Sequence, residues 1–248
     1  MLQEKTIEKL ESMRLKGMAE YLRRWLAEPT QQRLAPMELI GLMTDAEWMH
    51  RENRRMTTRL RTARLRQATA TLEDIDYEIP RKMDRNVILQ LQSSVWIQQN
   101  QNLVITGPTG VGKSYLACAF GQKACRDGLS VAYRRASRLF EELTQARADG
   151  TLSSVMRRLA KTRLLIIDDF GLEVLNAADR RSLLEIMEDR YGVGSTLVTS
   201  QVPIDGWHAV IGDATIADAV LDRLLHNAHR LPLDGPSIRK TKGSLTKS

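Results

Sequence analysis

Short aliphatic runs alternate with helical segments in the second part of the chain. Nearly continuous aliphatic runs, rather than a strict alternation of apolar and polar residues, are typical of strands that helices bury on both faces. The pattern therefore predicts an α/β fold with a parallel sheet. The five predicted strands lie at residues 102–106, 129–133, 163–168, 195–200 and 229–233.

The first 70 residues show helical spacing instead. Apolar residues recur there every three to five positions up to Leu26, and Pro29 ends this run. A second helical run begins near Pro36 and continues to about Gln67. The predicted domains are a small all-α N-terminal domain at 1–70, a connector with an entry helix at 71–100, an α/β domain at 101–240 and a basic tail, expected to be disordered, at 241–248.

A glycine-rich turn separates the first predicted strand from the helix that follows it. The segment Gly107–Ser114, GPTGVGKS, fits the pattern G-x-x-x-x-G-K-[ST] in this strand–helix context. Its glycines let backbone N–H groups turn toward phosphate oxygens, and the helix start adds the positive end of its dipole. We expect Lys113 to neutralise the β- and γ-phosphates and the Ser114 hydroxyl to bind Mg²⁺. ATP and Mg²⁺ are the predicted cofactors, and the predicted nucleotide contacts are Gly107, Pro108, Thr109, Gly110, Val111, Gly112, Lys113, Ser114 and Tyr115.

Two adjacent carboxylates follow the aliphatic run of the third predicted strand, in the segment Leu164–Gly171, LLIIDDFG. Carboxylates at a buried strand end are costly unless positive charge faces them. In a protein with a P-loop, that charge is the metal ion of the nucleotide. Asp168 is therefore predicted to hold Mg²⁺ through water, and Asp169 to act on the attacking water as its general base or polariser.

Polar residues at the end of the fourth predicted strand, and two later arginines, are further candidates. Ser200 and Gln201 each stand where a side chain can orient the attacking water; ordinary capping of a strand end is the alternative for both. Arg223 and Arg239 are candidates for contact with the γ-phosphate, sometimes made from a neighbouring subunit. For an isolated arginine, a solvated surface charge is the simpler interpretation.

Basic residues concentrate in one helical segment, residues 51–66, in which Glu52 is the only acid. The formal net charge of the chain is +7, which permits nucleic-acid binding without requiring it. On a helical projection all arginines of the segment except Arg64 share about half of the circumference. The face is a candidate for the phosphates of double-stranded DNA, or a solvated face on a packed helix. The predicted DNA contacts are Arg51, Arg54, Arg55, Arg59, Arg61 and Arg66.

The sequence argues against membrane and export classes. Its longest uninterrupted aliphatic run, LLII, is far shorter than the roughly 20 residues of a membrane span. The N-terminus lacks the apolar core of an export signal. Cys118 and Cys125 are predicted to be free thiols of a reducing compartment. We therefore expect a cytoplasmic protein with no membrane partner.

These motifs belong to a wider resemblance along nearly the whole chain. The sequence resembles the IstB-like ATP-binding proteins, AAA+ helpers of insertion-sequence transposition that are related to DnaC-type helicase loaders. The P-loop and LLIIDDFG alone are typical of any P-loop ATPase. The more specific segments are RLKGMAEYL (14–22), AEWMHRENRRMTTRLRTARL (46–65), LEDIDY (72–77) and DAVLDRLLHNAHRLPLDGPSIRK (218–240).

The resemblance implies an AAA+ P-loop NTPase core at 101–240, with a five-stranded parallel sheet of order 5-1-4-3-2 and a small all-α N-terminal domain. It also implies a head-to-tail homo-oligomer that forms on DNA with ATP and assists a DDE transposase in target selection and strand-transfer activation. The implied roles are Walker A for Lys113 and Ser114, Walker B for Asp168 and Asp169, sensor 1 for Ser200 or Gln201, a trans arginine finger for Arg223 and sensor 2 for Arg239.

Two positions depart from what is common among such ATPases. Asp169 stands where many AAA+ proteins have the longer glutamate, so slow hydrolysis is expected. Gln201 stands where relatives often have asparagine. Two other functions remain as alternatives: a replicative-helicase loader whose N-terminal domain binds a helicase, and a nucleotide-gated DNA scaffold with negligible ATPase activity.

Overall fold

A computed structural model describes residues 2–28 and 34–238 of the chain. The chain divides into two compact units, an N-terminal unit up to Thr58 and a C-terminal unit from Arg59 onward. The limits of the four predicted domains remain predictions. Within the described ranges, no helix combines the length and the apolar character needed to cross a membrane.

Helices build the N-terminal unit. The first predicted helical run consists of two helices, α1 (Leu2–Ser12) and α2 (Lys16–Ala27). Gly17 allows α2 to approach the next helix closely, since a Cβ at this position would lie 2.5 Å from the carbonyl oxygen of Ala46. The buried Glu47 caps α2, because its Oε2 accepts a 2.8 Å hydrogen bond from the Gly17 backbone N–H.

The second predicted run is one long helix, α3 (Pro36–Ala63), which crosses the limit between the two units. The helix ends at Ala63, whereas the sequence predicted that it would continue to about Gln67. Arg64 has a φ of 54°, in the left-handed region that commonly ends helices. A residue that leaves the helical conformation in this way gives no apolar signal in the sequence.

A five-stranded parallel sheet forms the centre of the C-terminal unit. Its order is β2-β3-β4-β1-β5, which confirms the predicted order 5-1-4-3-2 read from the other edge. The second strand starts later than predicted and the third continues beyond Asp168, to Phe170. The strands are β1 (Asn102–Thr106), β2 (Val131–Arg135), β3 (Leu164–Phe170), β4 (Ser195–Ser200) and β5 (Ala228–Pro232).

Helices cover both faces of this sheet, as the aliphatic strands predicted. The helices of this unit are α4 (Arg85–Leu91), α5 (Val95–Gln98), α6 (Lys113–Arg126), α7 (Ala136–Ala148), α8 (Leu152–Lys161), α9 (Ala177–Arg190), α10 (Trp207–Ile211) and α11 (Ala214–Leu225). Leu103 and Ile105 of β1 pack into one buried cluster together with α6, whereas Val104 packs into a second cluster with α7, α8, α9, α10 and α11.

Candidate nucleotide site

The predicted P-loop connects the carboxyl end of β1 to the start of α6. Gly107, Gly110 and Gly112 have φ values of 146°, 85° and 104°, which residues with a side chain rarely adopt. A Cβ at Gly107 would collide with the backbone of Leu233. The Lys113 ammonium group donates to the carbonyl oxygens of Gly107, at 2.7 Å, and Pro108, at 2.9 Å, so it lies inside the loop.

The two predicted Mg²⁺ ligands lie side by side. Asp168 is fully buried, and its Oδ1 accepts hydrogen bonds from Ser114 Oγ at 2.9 Å and Thr199 Oγ1 at 2.5 Å. Its Oδ2 accepts a 2.5 Å hydrogen bond from the Tyr133 hydroxyl. Burial and the bond to Asp168 raise the pKa of Tyr133 well above its usual range, so this hydroxyl stays protonated and donates.

These oxygen atoms fit a magnesium ion that is shared with nucleotide phosphates. Mg²⁺ prefers oxygen ligands, and in nucleotide sites it usually takes one or two from the protein and others from phosphates and water. Ser114 and Asp168 supply that number. No group of three or more His, Cys, Asp or Glu suited to a metal ion is present among the described residues.

Asp169 contacts a different kind of group from its neighbour. Its φ is 58°, and the pairing of β3 with β4 shifts register between Ile167 and Phe170. This irregularity turns the side chain away from ordinary strand alternation. The Asp169 Oδ2 atom lies 3.1 Å from Arg135 Nη2 and 3.7 Å from Arg66 Nη1.

A cavity of about 490 Å³ lies over the P-loop, within the usual range for small-ligand sites. Lys113, Ser114, Asp169 and Gln201 line it on the P-loop side. The predicted connector supplies another wall, which includes Ile75, Asp76, Ile79 and Arg81.

Arg81 is a buried cation of that wall. Only 4% of the residue is exposed, and its Nη2 donates to the backbone carbonyl of Asp76. Desolvation lowers the pKa of Arg81 from its ordinary value. No pattern along the chain marks this residue, because a single arginine in a connector resembles any surface charge.

Ser200 and Gln201, which the residues alone left open, have different surroundings. Ser200 is fully buried, and its hydroxyl donates to the carbonyl of Phe170 at 2.7 Å. Gln201 lines the cavity, and its Oε1 accepts a 2.6 Å hydrogen bond from Thr109 Oγ1 of the P-loop. Of the two, Gln201 faces the phosphate-binding loop.

Arg223 lies far from the P-loop of its own chain. Its backbone carbonyl accepts a hydrogen bond from Asn102, the first residue of β1, whereas the P-loop follows the last residue of that strand. Its guanidinium pairs with Glu188 of α9 at 3.0 Å. Arg223 and the P-loop therefore lie at opposite ends of strand β1. The other predicted arginine, Arg239, lies outside the described residues.

The predicted DNA contacts of the N-terminal unit are not equally available. Arg51 pairs with the buried Glu47 at 2.7 Å, and Arg55 pairs with Glu52 at 2.5 Å. Arg54 is exposed on the same helix. The first two arginines therefore have carboxylate partners with which DNA phosphates would compete.

The three predicted DNA contacts of the C-terminal unit also differ. Arg59 Nε donates to the carbonyl of Cys125 at 2.9 Å, which ties the end of α3 to α6. Arg61 is exposed. Arg66 lines the nucleotide cavity beside Asp169.

Comparison with known proteins agrees with this geometry. The chain matches the family described as IstB-like ATP binding protein over residues 8–246. The "putative insertion sequence ATP-binding protein y4pL" of Sinorhizobium fredii (strain NBRC 101917 / NGR234) is 48% identical over 242 residues, which cover 98% of both chains.

Solved structures share the fold at low sequence identity. The crystal structure of the DnaC helicase loader matches with a TM-score of 0.53 and 19% identity, over 66% of this chain and 96% of that chain. AMPPCP-bound DnaA from Aquifex aeolicus matches with a TM-score of 0.56 and 18% identity, over 72% of this chain and 55% of that chain. The fold is that of an AAA+ P-loop NTPase, as predicted. With the family match over almost its entire length, the chain belongs to the IstB-like ATP-binding proteins.

Proposed function

We propose that this protein is an ATP-dependent, DNA-binding regulator that assists a DDE transposase in target selection and strand-transfer activation. The observation that carries the proposal is one cavity lined by Lys113, Ser114 and Asp169, with the buried Asp168 hydrogen-bonded to the Ser114 hydroxyl. Membership of the IstB-like family and the insertion-sequence name of the Sinorhizobium relative support the link to transposition.

In the proposed reaction, Lys113 exchanges its two loop carbonyls for oxygens of the β- and γ-phosphates. Ser114 and Asp168 hold Mg²⁺, which, when bound, supplies positive charge against the phosphate oxygens. Asp169 orients or deprotonates the attacking water. The contact between Gln201 and the P-loop supports Gln201 as the polar side chain that positions this water.

Arg223 acts on the ATP of a neighbouring protomer in this proposal. Arg223 lies beside the amino end of β1, whereas its own P-loop follows the carboxyl end of that strand, and this separation supports action in trans. A contact between two different surfaces is head-to-tail and generates a ring or an open helix. Arg239 is expected to contact the phosphates as sensor 2.

DNA binding follows from assembly. Of the six predicted DNA contacts in one protomer, Arg54 and Arg61 are exposed and form no ion pair among the described residues. Head-to-tail assembly places many copies of such a surface along one duplex, and the linked copies bind far more tightly than one. ATP is therefore expected to control DNA binding through assembly.

The test is electron microscopy of the full-length protein with duplex DNA, with ATP, with ADP and without nucleotide. Ordered assemblies should form on DNA with ATP and should be absent with ADP. Lys113→Ala is expected to abolish them, since it loses the phosphate contact. Assemblies of equal abundance under all three conditions would contradict ATP control. Pulldown of a replicative helicase instead of the cognate transposase would favour the helicase-loader alternative.

A further inference from the structure

A buried guanidinium in the wall of the nucleotide cavity has a donor without an acceptor. Arg81 is 4% exposed and belongs to the part of the wall that the connector supplies. Its Nη2 donates to the backbone carbonyl of Asp76 at 2.6 Å, whereas its Nε is buried and has no hydrogen-bond partner among the described residues. A buried N–H group without an acceptor is costly, and a charged one more so. Such an atom in a cavity wall indicates a ligand that supplies the acceptor.

The segment that follows β5 fixes the backbone of Arg81. The Arg81 carbonyl accepts a 3.0 Å hydrogen bond from the Asp234 N–H. Gly235 has a φ of 148°, and a Cβ at this position would collide with the carbonyl of Pro80. Two segments that are far apart in the sequence therefore hold Arg81 at the cavity. A side chain held in this way loses little conformational entropy when a ligand binds.

Arg81 lies beside the last glycine of the P-loop, in a part of the cavity that also has apolar side chains. A Cβ built on Gly112 would lie 2.8 Å from Arg81 Nη1 and 3.3 Å from Ile238 Cδ1. Two more isoleucines line the cavity, Ile75 and Ile79. The isoleucines offer apolar surface to a flat ring, and the guanidinium offers hydrogen-bond donors to its edge.

We propose that Arg81 binds the base of the nucleotide by donating a hydrogen bond to a ring nitrogen of adenine. The inference rests on the proposed function, in which ATP occupies this cavity. A guanidinium has donors only, and adenine carries acceptor nitrogens at N1, N3 and N7. The phosphates are bound by Lys113, by the N–H groups of the P-loop and by Mg²⁺ in the proposed reaction. Arg81 therefore contributes to affinity through the base and not through the phosphates.

Analogues of ATP with carbon in place of one ring nitrogen test this contact on the unaltered protein. Isothermal titration calorimetry of the full-length protein compares ATP with 1-deaza-, 3-deaza- and 7-deaza-ATP. One of the three should bind roughly ten- to a hundredfold more weakly than ATP, since it lacks the acceptor. The other two should stay within about threefold of ATP. Equal affinity for all four nucleotides would overturn the proposal, and this result does not depend on the folding of a variant.

Arg81→Met removes the donors and keeps an unbranched side chain that can fill the same space. Its Kd for ATP should rise by the same factor, and it should no longer distinguish ATP from the weakened analogue, because one contact cannot be lost twice. Lys82→Met is the matched control. Lys82 is the next residue of the connector, but its side chain is 80% exposed and pairs with Asp234 at 2.7 Å. This control should bind each nucleotide as the wild type does.

Inorganic tripolyphosphate separates a contact with the base from a contact with the phosphates. Arg81→Met should bind it within about twofold of wild type, since the phosphate-binding groups are unchanged. Parallel losses for tripolyphosphate and ATP would overturn the proposal, as would an Arg81→Met variant that still distinguishes ATP from the weakened analogue. Failure of the wild type to bind ATP would instead remove the proposed function on which the inference rests.

Discussion

At the residue scale, the negative charges of the adjacent Asp168 and Asp169 are stabilised by different groups. Three hydroxyl groups donate to Asp168, so its negative charge is stabilised without being cancelled. Two guanidinium groups face Asp169 and oppose its charge. The first arrangement suits a residue that holds a cation, whereas the second leaves Asp169 in an ion pair beside the cavity.

Asp169→Asn is expected to separate ATP binding from ATP hydrolysis. The amide retains the size of the side chain but cannot accept a proton, so kcat should fall by roughly 10²-fold or more. Affinity for a fluorescent ATP analogue should stay within about threefold of wild type, because Lys113 and Ser114 are unchanged. Parallel loss of binding and turnover would show that Asp169 acts on the nucleotide itself.

Local motifs predicted some residues of this site and missed others for a physical reason. Lys113, Ser114 and Asp168 belong to short patterns whose chemistry is readable along the chain. Tyr133 and Thr199 are 35 and 31 positions away from Asp168. Their hydroxyls reach its carboxylate only because β2 and β4 flank β3 in the sheet. No pattern along the chain marks such contacts.

At the element scale, the strands were predictable because each depends on a local aliphatic run. The predicted first and fourth strands coincide with β1 and β4. Strand order was implied by the family resemblance only, since alternating strands and helices are compatible with several orders. The register shift in β3 was not predictable, because it depends on the pairing of Asp169 with a side chain of another strand.

Arg190 links three elements in the core of the C-terminal unit. It ends α9, is 2% exposed, and donates to the carbonyls of Leu159, Thr162 and Ser195 and to the hydroxyl of Thr196. Burial lowers the pKa of Arg190 to about 10, so it remains charged at neutral pH. Its bonds join the ends of α8 and α9 to the start of β4.

Arg190→Met should lower the free energy of unfolding by about 3–5 kcal/mol, because several buried acceptors lose their donor. Chemical denaturation, followed through the unfolding transition of the C-terminal unit, measures this loss of free energy. Arg158→Met is the control: Arg158 pairs with Glu142 but its side chain is 61% exposed, so the change should stay within about 1 kcal/mol. Equal effects of the two variants would show that burial does not govern the contribution of Arg190.

DNA contact by α3 should depend most on Arg54 and Arg61, which are exposed and, among the described residues, have no carboxylate partner such as those of Arg51 and Arg55. Neutralising Arg54 and Arg61 together, as Arg54→Gln and Arg61→Gln, should reduce the slope of log affinity against log salt by about 1.8 if each contacts one phosphate. Fluorescence anisotropy with a labelled duplex at several salt concentrations measures the slope. Arg138→Gln with Lys82→Gln, two exposed cations elsewhere, is the control. An unchanged slope in the first pair would identify α3 as a solvated or protein-binding face.

At the scale of the whole molecule, the sheet separates two parts of the proposed catalytic centre. The P-loop lies at the carboxyl end of β1, and Arg223 lies beside the amino end of the same strand. One chain cannot bring them together without rebuilding its sheet. A complete centre therefore requires two protomers in the proposed assembly.

Mixing two inactive variants tests this requirement. Arg223→Ala should bind ATP without assembling or hydrolysing it, and Lys113→Ala should be inactive because its P-loop lacks the cation. In a mixture, the Arg223 of a Lys113→Ala protomer can complete the intact site of an Arg223→Ala protomer. Phosphate release should recover to a measurable fraction of wild type.

The control for that experiment is a mixture of Arg223→Ala with the Lys113→Ala/Arg223→Ala double variant, which should remain inactive. Recovery in this control, or normal turnover by Arg223→Ala alone, would show that Arg223 is not the residue acting in trans.

The opposite locations of Arg223 and the P-loop also give the proposed assembly a polarity. In an open helix, one terminal protomer keeps a nucleotide that no neighbour reaches, and the other presents an arginine without a site. The two ends therefore differ in surface and in the lifetime of their ATP. A transposase that binds one kind of end would insert DNA on one side of the assembly and in one orientation.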